Sequence, residues 1–447
     1  MARTKSIGIR ERLARLLPDK WLREKARATG AVQRSRKVDI VALFWTVVLG
    51  FGAGKDRTLA GLRRTYEVAK GQRLVPSAFY GRFSKGFSRF LREVLSYLMD
   101  RVAEPPRSLK GAWKSFRDVV LADATAVRLH DLLAGAFPAC RTNHTKAAVK
   151  MHVVMSVVGA GPRSVKLTQE RAGDGRCLRI GEWVKDRLLL FDLGYYRFQL
   201  FARIAENGGY FISRLKKNAN PLLESANRNW RGRLMDIDGQ RLQQILPRLK
   251  RGVLDAQVVM NFYRRSYRDR RRLDRMDLRV VAVRDAGTKG YHIFVTNIPA
   301  DRLTAEEVAR SYAARWEIEI LFKQLKSHYR LGELPSRKKE VVEALIYSAM
   351  ITMVVSNMLL AMVRRKHRSD AARARQLRWA AVFAALAQQI IWVMVLPPRK
   401  SRPIRILVEQ ALIHEALDPN VARTSLCEGV QNGTHRYISQ TQAHGSP

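Results

Sequence analysis

The sequence predicts an α/β protein: a mixed core of strands and helices, interrupted by a β-rich insertion and flanked by a helical N-terminal region and a helical C-terminal region. Three observations predict it. Residues 1–108 carry helical spacing throughout. From 109 to 216, short apolar runs bounded by turns alternate with helical stretches in the order β-β-β-α-β-α-β. From 301 onward the chain reads as helical again, through 301–363 and into 364–447.

In the N-terminal region, Val38–Leu49 is an apolar run that GFGAGKDRT breaks, and Thr58–Val68 has helical periodicity. Pro76 opens a further helix that runs on through RFSKGFSRFLREVLSYLMDRV. Short helices with arginines at turn spacing suit DNA contact, with a helix-turn-helix as one form and a small bundle with a solvated basic face as the plainer one. Glu104-Pro-Pro-Arg107 marks a linker. Asp118–Asp123 (DVVLAD) then reads as a buried strand ending in an acid. Met151–Gly159 and Arg163–Thr168 form an antiparallel hairpin about Gly159–Pro162. Cys177–Arg187 reads as helix, and Leu188–Asp192 (LLLFD) as a short strand covered on both faces. Phe198–Asn207 is a helix and Gly209–Lys216 a strand.

The insertion, 217–300, holds strands at Val253–Tyr263, Leu278–Val283 and Tyr291–Thr296, with RRSYRDRRRLDR separating the first two. Arg264, Arg265, Arg270, Arg271 and Arg272 in that separator are candidates for phosphate contact, a solvated loop being the plainer reading. Val341–Val363 is nearly long enough to cross a bilayer, but Glu343, Ser348, Thr352, Ser356 and Asn357 dilute it, and it is read as a buried core helix rather than a membrane span. Pro397-Pro398 closes the last clear helix, and the tail from about 419 is polar and flexible.

Lys plus Arg number 82 against 39 Asp plus Glu, a formal net charge of +43. A field of that sign attracts polyanions, and nucleic acid is the partner that best matches a basic excess spread along the whole chain. Cys140, Cys177 and Cys427 are scattered without zinc spacing, and the first twenty residues lack an apolar stretch of the secretory kind, so a cytoplasmic, nucleoid-associated protein is expected.

The most informative stretch is YAARWEIEILFKQLK, Tyr312–Lys326. Counted from Glu319, Arg315 lies at i−4 and Tyr312 and Lys326 at i∓7, offsets that share one face of an α-helix. Two further acids, Asp123 and Asp192, end apolar strands, where catalytic groups gather in α/β sheets. Three carboxylates converging on one point suit two-metal phosphoryl transfer. Each has a plainer reading: Asp123 and Asp192 as turn caps, and Glu319 as a partner of Arg315 or Lys323. Asp118, Asp131, Asp174 and Asp186 are read as solvated or structural, His130, His144 and His152 as packing residues, and Trp316 as core. Glu317 and Glu333 do not fit the spacing.

These features resemble the ribonuclease-H-like DDE nucleotidyl transferases, and 312–326 is similar to the YREK signature of one branch of bacterial insertion-sequence transposases. LADATAVRL around Asp123, FDLGYY around Asp192, FVTNIP before the signature and LRRTYEVAKGQRLVPSAFYGRF near the N-terminus carry the same resemblance, which spans about residues 40–400. It implies a ribonuclease-H-like catalytic core, with Asp123, Asp192 and Glu319 binding two Mg²⁺ ions, Mn²⁺ being a substitute. It implies phosphate contacts from Tyr312, Arg315 and Lys326. It also implies a DNA transposase that binds terminal inverted repeats and target double-stranded DNA, works as a homodimer or higher synaptic oligomer, and moves DNA by cut and paste. Where some relatives carry a base-stacking aromatic this chain has Tyr291 and His292, which leaves a hairpin step open. A DNA-binding protein without catalysis and a metal-dependent nuclease without strand transfer are the rival readings.

Overall fold

The computed structural model describes residues 8–33, 38–54, 56–102, 109, 111–140, 145–159, 161–227, 229–230, 233–264, 272–285, 290–332, 334, 336–366 and 376–417. The linker 104–107, His144, Arg265, Arg270, Arg271, Glu333, Cys427 and the tail from 418 lie outside the described residues.

Six helices open the chain: α1 (Ile9–Leu16), α2 (Asp19–Ala28), α3 (Ile40–Trp45), α4 (Leu59–Lys70), α5 (Pro76–Tyr80) and α6 (Lys85–Val102). Their ends follow local chemistry. The Asp39 carboxylate accepts the Val41 N–H at the start of α3, and the Thr58 hydroxyl accepts the Gly61 N–H at the start of α4. Pro76 opens α5, where its missing N–H would have had no partner, and α4 stops at Gly71 with φ of 64°. The apolar run from Val38 does not break at Gly50. After α3 it continues as a π-helical turn, Thr46–Phe51, all of it buried. Here glycine serves packing: a Cβ at Gly50 would lie 2.8 Å from Leu62, and one at Gly52 would run into Thr352, 2.9 Å from the Ser348 carbonyl oxygen.

The core follows with β1 (Asp118–Arg128), β2 (Ala148–Ser156), β3 (Gly161–Gln169), α7 (Asp174–Cys177), β4 (Arg187–Phe191), α8 (Phe198–Glu206) and β5 (Tyr210–Arg214). The insertion supplies β6 (Leu222–Ala226), β7 (Asn229–Trp230), β8 (Arg233–Leu234), α9 (Leu242–Ile245), β9 (Val253–Tyr263), β10 (Leu273–Arg284) and β11 (Tyr291–Thr296). Helices then close the chain: α10 (Ala305–Ala313), α11 (Trp316–Ser327), α12 (Lys339–Lys366), α13 (Gln376–Ala385), α14 (Ala387–Val395) and α15 (Pro398–Glu415). Nine strands form one mixed sheet in the order β3-β2-β1-β4-β5-β11-β10-β9-β6. β1 and β5 flank β4 in parallel, and the other pairings are antiparallel. Because β11 pairs with β5, the strands of the insertion continue the sheet of the core.

Several expectations need correction. β1 does not end at Asp123 but continues to Arg128, paired on one side only, with β2. Its second half is rich in alanine, a weak strand signal. Cys177–Arg187 is not a helix. It contains the last residue of α7, a 3₁₀ turn at Glu182–Val184 and the first residue of β4, because Gly181 is extended and Asp186 is left-handed at φ 57°. β10 begins at Leu273 rather than 278, which shortens the arginine-rich turn. α14 does end just before Pro397, at Val395, but it is not the last helix: Pro397 and Pro398 start α15 as its N-cap and first residue.

The sheet separates two apolar cores. On one face Val119, Leu121, Leu188, Leu190 and Ile212 join a core shared with α1–α6 and α10–α15. On the other, Val120, Ala122, Leu189 and Phe191 pack with α8, α9 and the insertion. α12 is the axis of the first core. It is long and apolar enough to cross a membrane, yet 78% of its most apolar window is buried inside the fold, chiefly against α6 and the π-helical turn. α1 closes over α15: the Ile9 N–H donates to Glu409 Oε1 at 3.0 Å, and the Arg10 guanidinium donates to the carbonyls of Val393 and Leu396 at 2.8 and 2.7 Å.

Candidate active site

Strand register brings the first two acids together. Ala122 is the Cα partner of Phe191 in the parallel pair β1–β4, and Asp123 and Asp192 are the next residues on each strand. Neighbouring strands run about 4.8 Å apart. Alternation puts both carboxylates on the face that Leu121 and Leu190 share, the side that α10, α11 and α12 cover. β4 stops at Phe191, and Asp192 remains extended (φ −77°, ψ 170°) before the 3₁₀ turn Leu193–Tyr195.

The third acid arrives on α11, whose buried stripe Ile318, Leu321, Phe322 and Leu325 packs toward β1. Arg315 joins it to the first. Its Nη2 donates to Glu319 Oε1 at 2.5 Å, and its Nη1 reaches Asp123 Oδ2 at 3.5 Å. Asp123 also accepts the Ala124 N–H at 2.7 Å. Burial pushes its carboxyl up to about 6; Ala124 and Arg315 oppose that rise, and repulsion from Asp192 and Glu319 adds to it. Asp123 therefore feels both other carboxylates, and it shares one guanidinium with Glu319.

The signature does not ride on one continuous α-helix. Between α10 and α11 the backbone tightens into i→i−3 bonds: Ala314 N–H to Ser311, Arg315 N–H to Tyr312, Glu317 N–H to Ala314. Tyr312 is buried, with its ring against Phe294 and its hydroxyl 3.4 Å from the Phe191 carbonyl. It ties α10 to the end of β4, one residue before Asp192. Lys326 is exposed two turns beyond Glu319, about 10 Å along the helix axis. Trp316, expected in the core, is 57% exposed, because the buried stripe of α11 faces the other way. Glu317 is buried.

The other candidates stand apart. Arg264 is ion-paired with both Glu206 and Asp274, and Arg272 is exposed at the other end of the same turn. Tyr291 gives its hydroxyl proton toward the carbonyls of Leu249 and Arg251 while its oxygen accepts from Arg284. Asp118 is structural, buried on Ser156 and the Val158 N–H. Asp174 binds Lys150 at 3.1 Å and faces His152 at 3.7 Å. Sequence reasoning missed Arg279. It is 2% exposed, holds Asp255 with two bonds of 2.7 and 2.6 Å, and donates to the Leu303 carbonyl at 2.7 Å, fixing the approach to α10. An arginine within an alternating strand gave no signal of that role.

For a metal, the donor chemistry fits, since carboxylate oxygens suit hard divalent cations. Among the described residues no three acidic, histidine or cysteine side chains close to metal-holding distance. The guanidinium of Arg315 stands between Asp123 and Glu319 instead, a positive charge where a cation would be held.

A family model described as "Transposase DDE domain" matches residues 114–355, more than half of the chain. Among known proteins, the transposase for insertion sequence element IS231B of Bacillus thuringiensis subsp. berliner is 23% identical over 392 residues, covering 79% of this chain and 80% of that one. That for IS231F of Bacillus thuringiensis subsp. israelensis is 24% identical over 401 residues, covering 80% and 83%. That for IS1151 of Clostridium perfringens is 19% identical over 330 residues, covering 68% and 70%. A cryo-EM structure of a piggyBac transposase synaptic complex with hairpin DNA overlaps 92% of this chain and 86% of that one, at 10% identity and a TM-score of 0.43.

Proposed function

Since this chain belongs to the transposase DDE domain family, we propose that it is the DNA transposase of a bacterial insertion sequence, with Asp123, Asp192 and Glu319 as its catalytic acids. Water attacks a phosphodiester at the end of the element and leaves a 3′-hydroxyl. That hydroxyl then attacks a phosphodiester of the target DNA, joining the strands. The single observation that carries this reading is that Asp123 feels the charges of both Asp192, its neighbour on β4, and Glu319 of α11, with Arg315 between Asp123 and Glu319.

Asp123, Asp192 and Glu319 would hold the divalent cations, Mg²⁺ or Mn²⁺ in its place, which when bound neutralise charge on the reacting phosphate and acidify a water. The chain's own groups prepare that site. The Ala124 N–H orients Asp123, and Tyr312 fixes the strand end that carries Asp192. Arg315 holds the carboxylates together until DNA arrives, and its planar guanidinium can then take a phosphate with two bonds. Lys326 acts as a point charge further along the strand. In this reading residues 1–108 bind the terminal inverted repeats, 109–216 and 301–363 build a ribonuclease-H-like core around the insertion 217–300, and 364–447 complete a chain that pairs with a second copy on DNA.

The test is metal-dependent nicking and joining of a duplex that carries the element's inverted repeats. Asp123→Ala, Asp192→Ala and Glu319→Ala should each lower cleavage by about 10³-fold or more while leaving end binding intact. A variant that still cleaves at the normal rate removes that residue from the set. Cleavage without joined products would point to a nuclease instead.

A further inference from the structure

Between the 175–180 segment and α8 lies an open cavity of about 600 Å³, lined by Arg176, Arg179, Arg197 and Arg203 with Gln199 and Leu200. All four arginines are exposed. No acidic residue lines the cavity, and among the described residues none of the four guanidiniums has a carboxylate partner. The nearby acids are turned elsewhere: Asp174 to Lys150 and Glu206 to Arg264. Four like charges around one hollow repel one another, and an anionic ligand with several phosphates would relieve that repulsion.

Position and shape narrow the ligand. The groove lies on the α8 side of the sheet, opposite the face that carries the acids; Arg197 follows the turn Leu193–Tyr195 that leaves Asp192, and Tyr195 of that turn is close enough to Asp123 to feel its charge. Arg179 and Leu178 are also part of the wall of a second cavity of about 570 Å³, lined by Arg163, Lys166, Trp183 and Tyr195. The two hollows adjoin across Leu178 and Arg179, and side by side they make a cationic track with the Trp183 indole along it. Each has the volume of a small-ligand site, enough for a nucleotide or two of a strand and too little for a duplex. A cationic track with an aromatic platform is the chemistry that holds single-stranded nucleic acid.

Resting on the transposase reading above, we propose that this track binds the sugar–phosphate backbone of a single DNA strand leaving the acids. The experiment measures binding of the full-length chain to fluorescent oligothymidine and to a duplex, by anisotropy over a salt series with chelator present so that nothing is cut. The combined variant Arg176→Gln, Arg179→Gln, Arg197→Gln, Arg203→Gln should flatten the log–log salt slope for oligothymidine by about 0.7 per lost phosphate contact, roughly 2.8 in all. The milder pair Arg176→Gln, Arg203→Gln should flatten it by roughly half as much and guards against misfolding of the first. Neutralising Arg399, Lys400 and Arg402 on α15 should change it far less per charge. An unchanged slope, or a loss per charge equal to that control, overturns the track. An equal change on the duplex overturns the single-strand assignment. The outcome is separable from the proposed function: a chain that grips oligothymidine through these arginines yet never cleaves keeps the track and loses the transposase reading.

Discussion

At the scale of single residues, the acids and the one arginine among them behave as a unit. Arg315 opposes the rise that burial imposes on the Asp123 carboxyl, and it is ion-paired with Glu319. Arg315→Ala should therefore weaken binding to the inverted repeats and flatten its salt dependence by about one phosphate contact. An unchanged salt slope in anisotropy titrations would place Arg315 away from the DNA backbone. His152 offers a second measurement. It is buried on β2, its Nε2 against the Thr168 hydroxyl, and burial lowers its pKa to about 4 from 6.5. The unfolded chain takes up the proton first, so stability is full above about pH 6.5 and falls as the pH drops toward 4. The difference amounts to about 3 kcal/mol. His152→Gln should remove that slope from denaturant unfolding between pH 7 and 4; a slope that survives the substitution assigns the titration to another group.

At the scale of elements, the sequence showed the strands through their apolar runs, because β4 is buried on both faces and the β2–β3 hairpin has an evident turn. It also marked the three acids that the fold brings near one another, because each follows an apolar run or sits inside a spaced signature. What it could not show was set by neighbours distant in the chain. The second half of β1 is alanine-rich and is a strand only because β2 lies beside it. The joint at Ala314–Arg315 depends on Tyr312 reaching the Phe191 carbonyl. Trp316 faces solvent because α11 turns a different stripe to the sheet. Arg279 is the clearest case, since its partners come from β9 and from the segment before α10. Arg279→Ala would leave the Asp255 carboxylate buried without its partner and should cost about 3–5 kcal/mol in a denaturant melt. A loss under 1 kcal/mol would mean that water reaches that pair.

At the scale of the whole molecule, the matched segment 114–355 is not a free-standing unit. One face of its sheet and most of α12 are buried against helices from 9–102 and 376–415. Excised alone, it would expose that core and should aggregate or melt without cooperativity. A monodisperse fragment with a sharp thermal transition would contradict this. The seal of α1 over α15 has a further consequence, in time rather than space. Ile9 and its partner Glu409 are 400 positions apart, so α1 finds this seat only after that much more chain has been made. At about 5–20 residues per second that interval is roughly 20–80 s. Throughout it the apolar side of α1, Ile9, Leu13 and Leu16, lacks the part of its cover that α15 supplies, and chaperones can reach it.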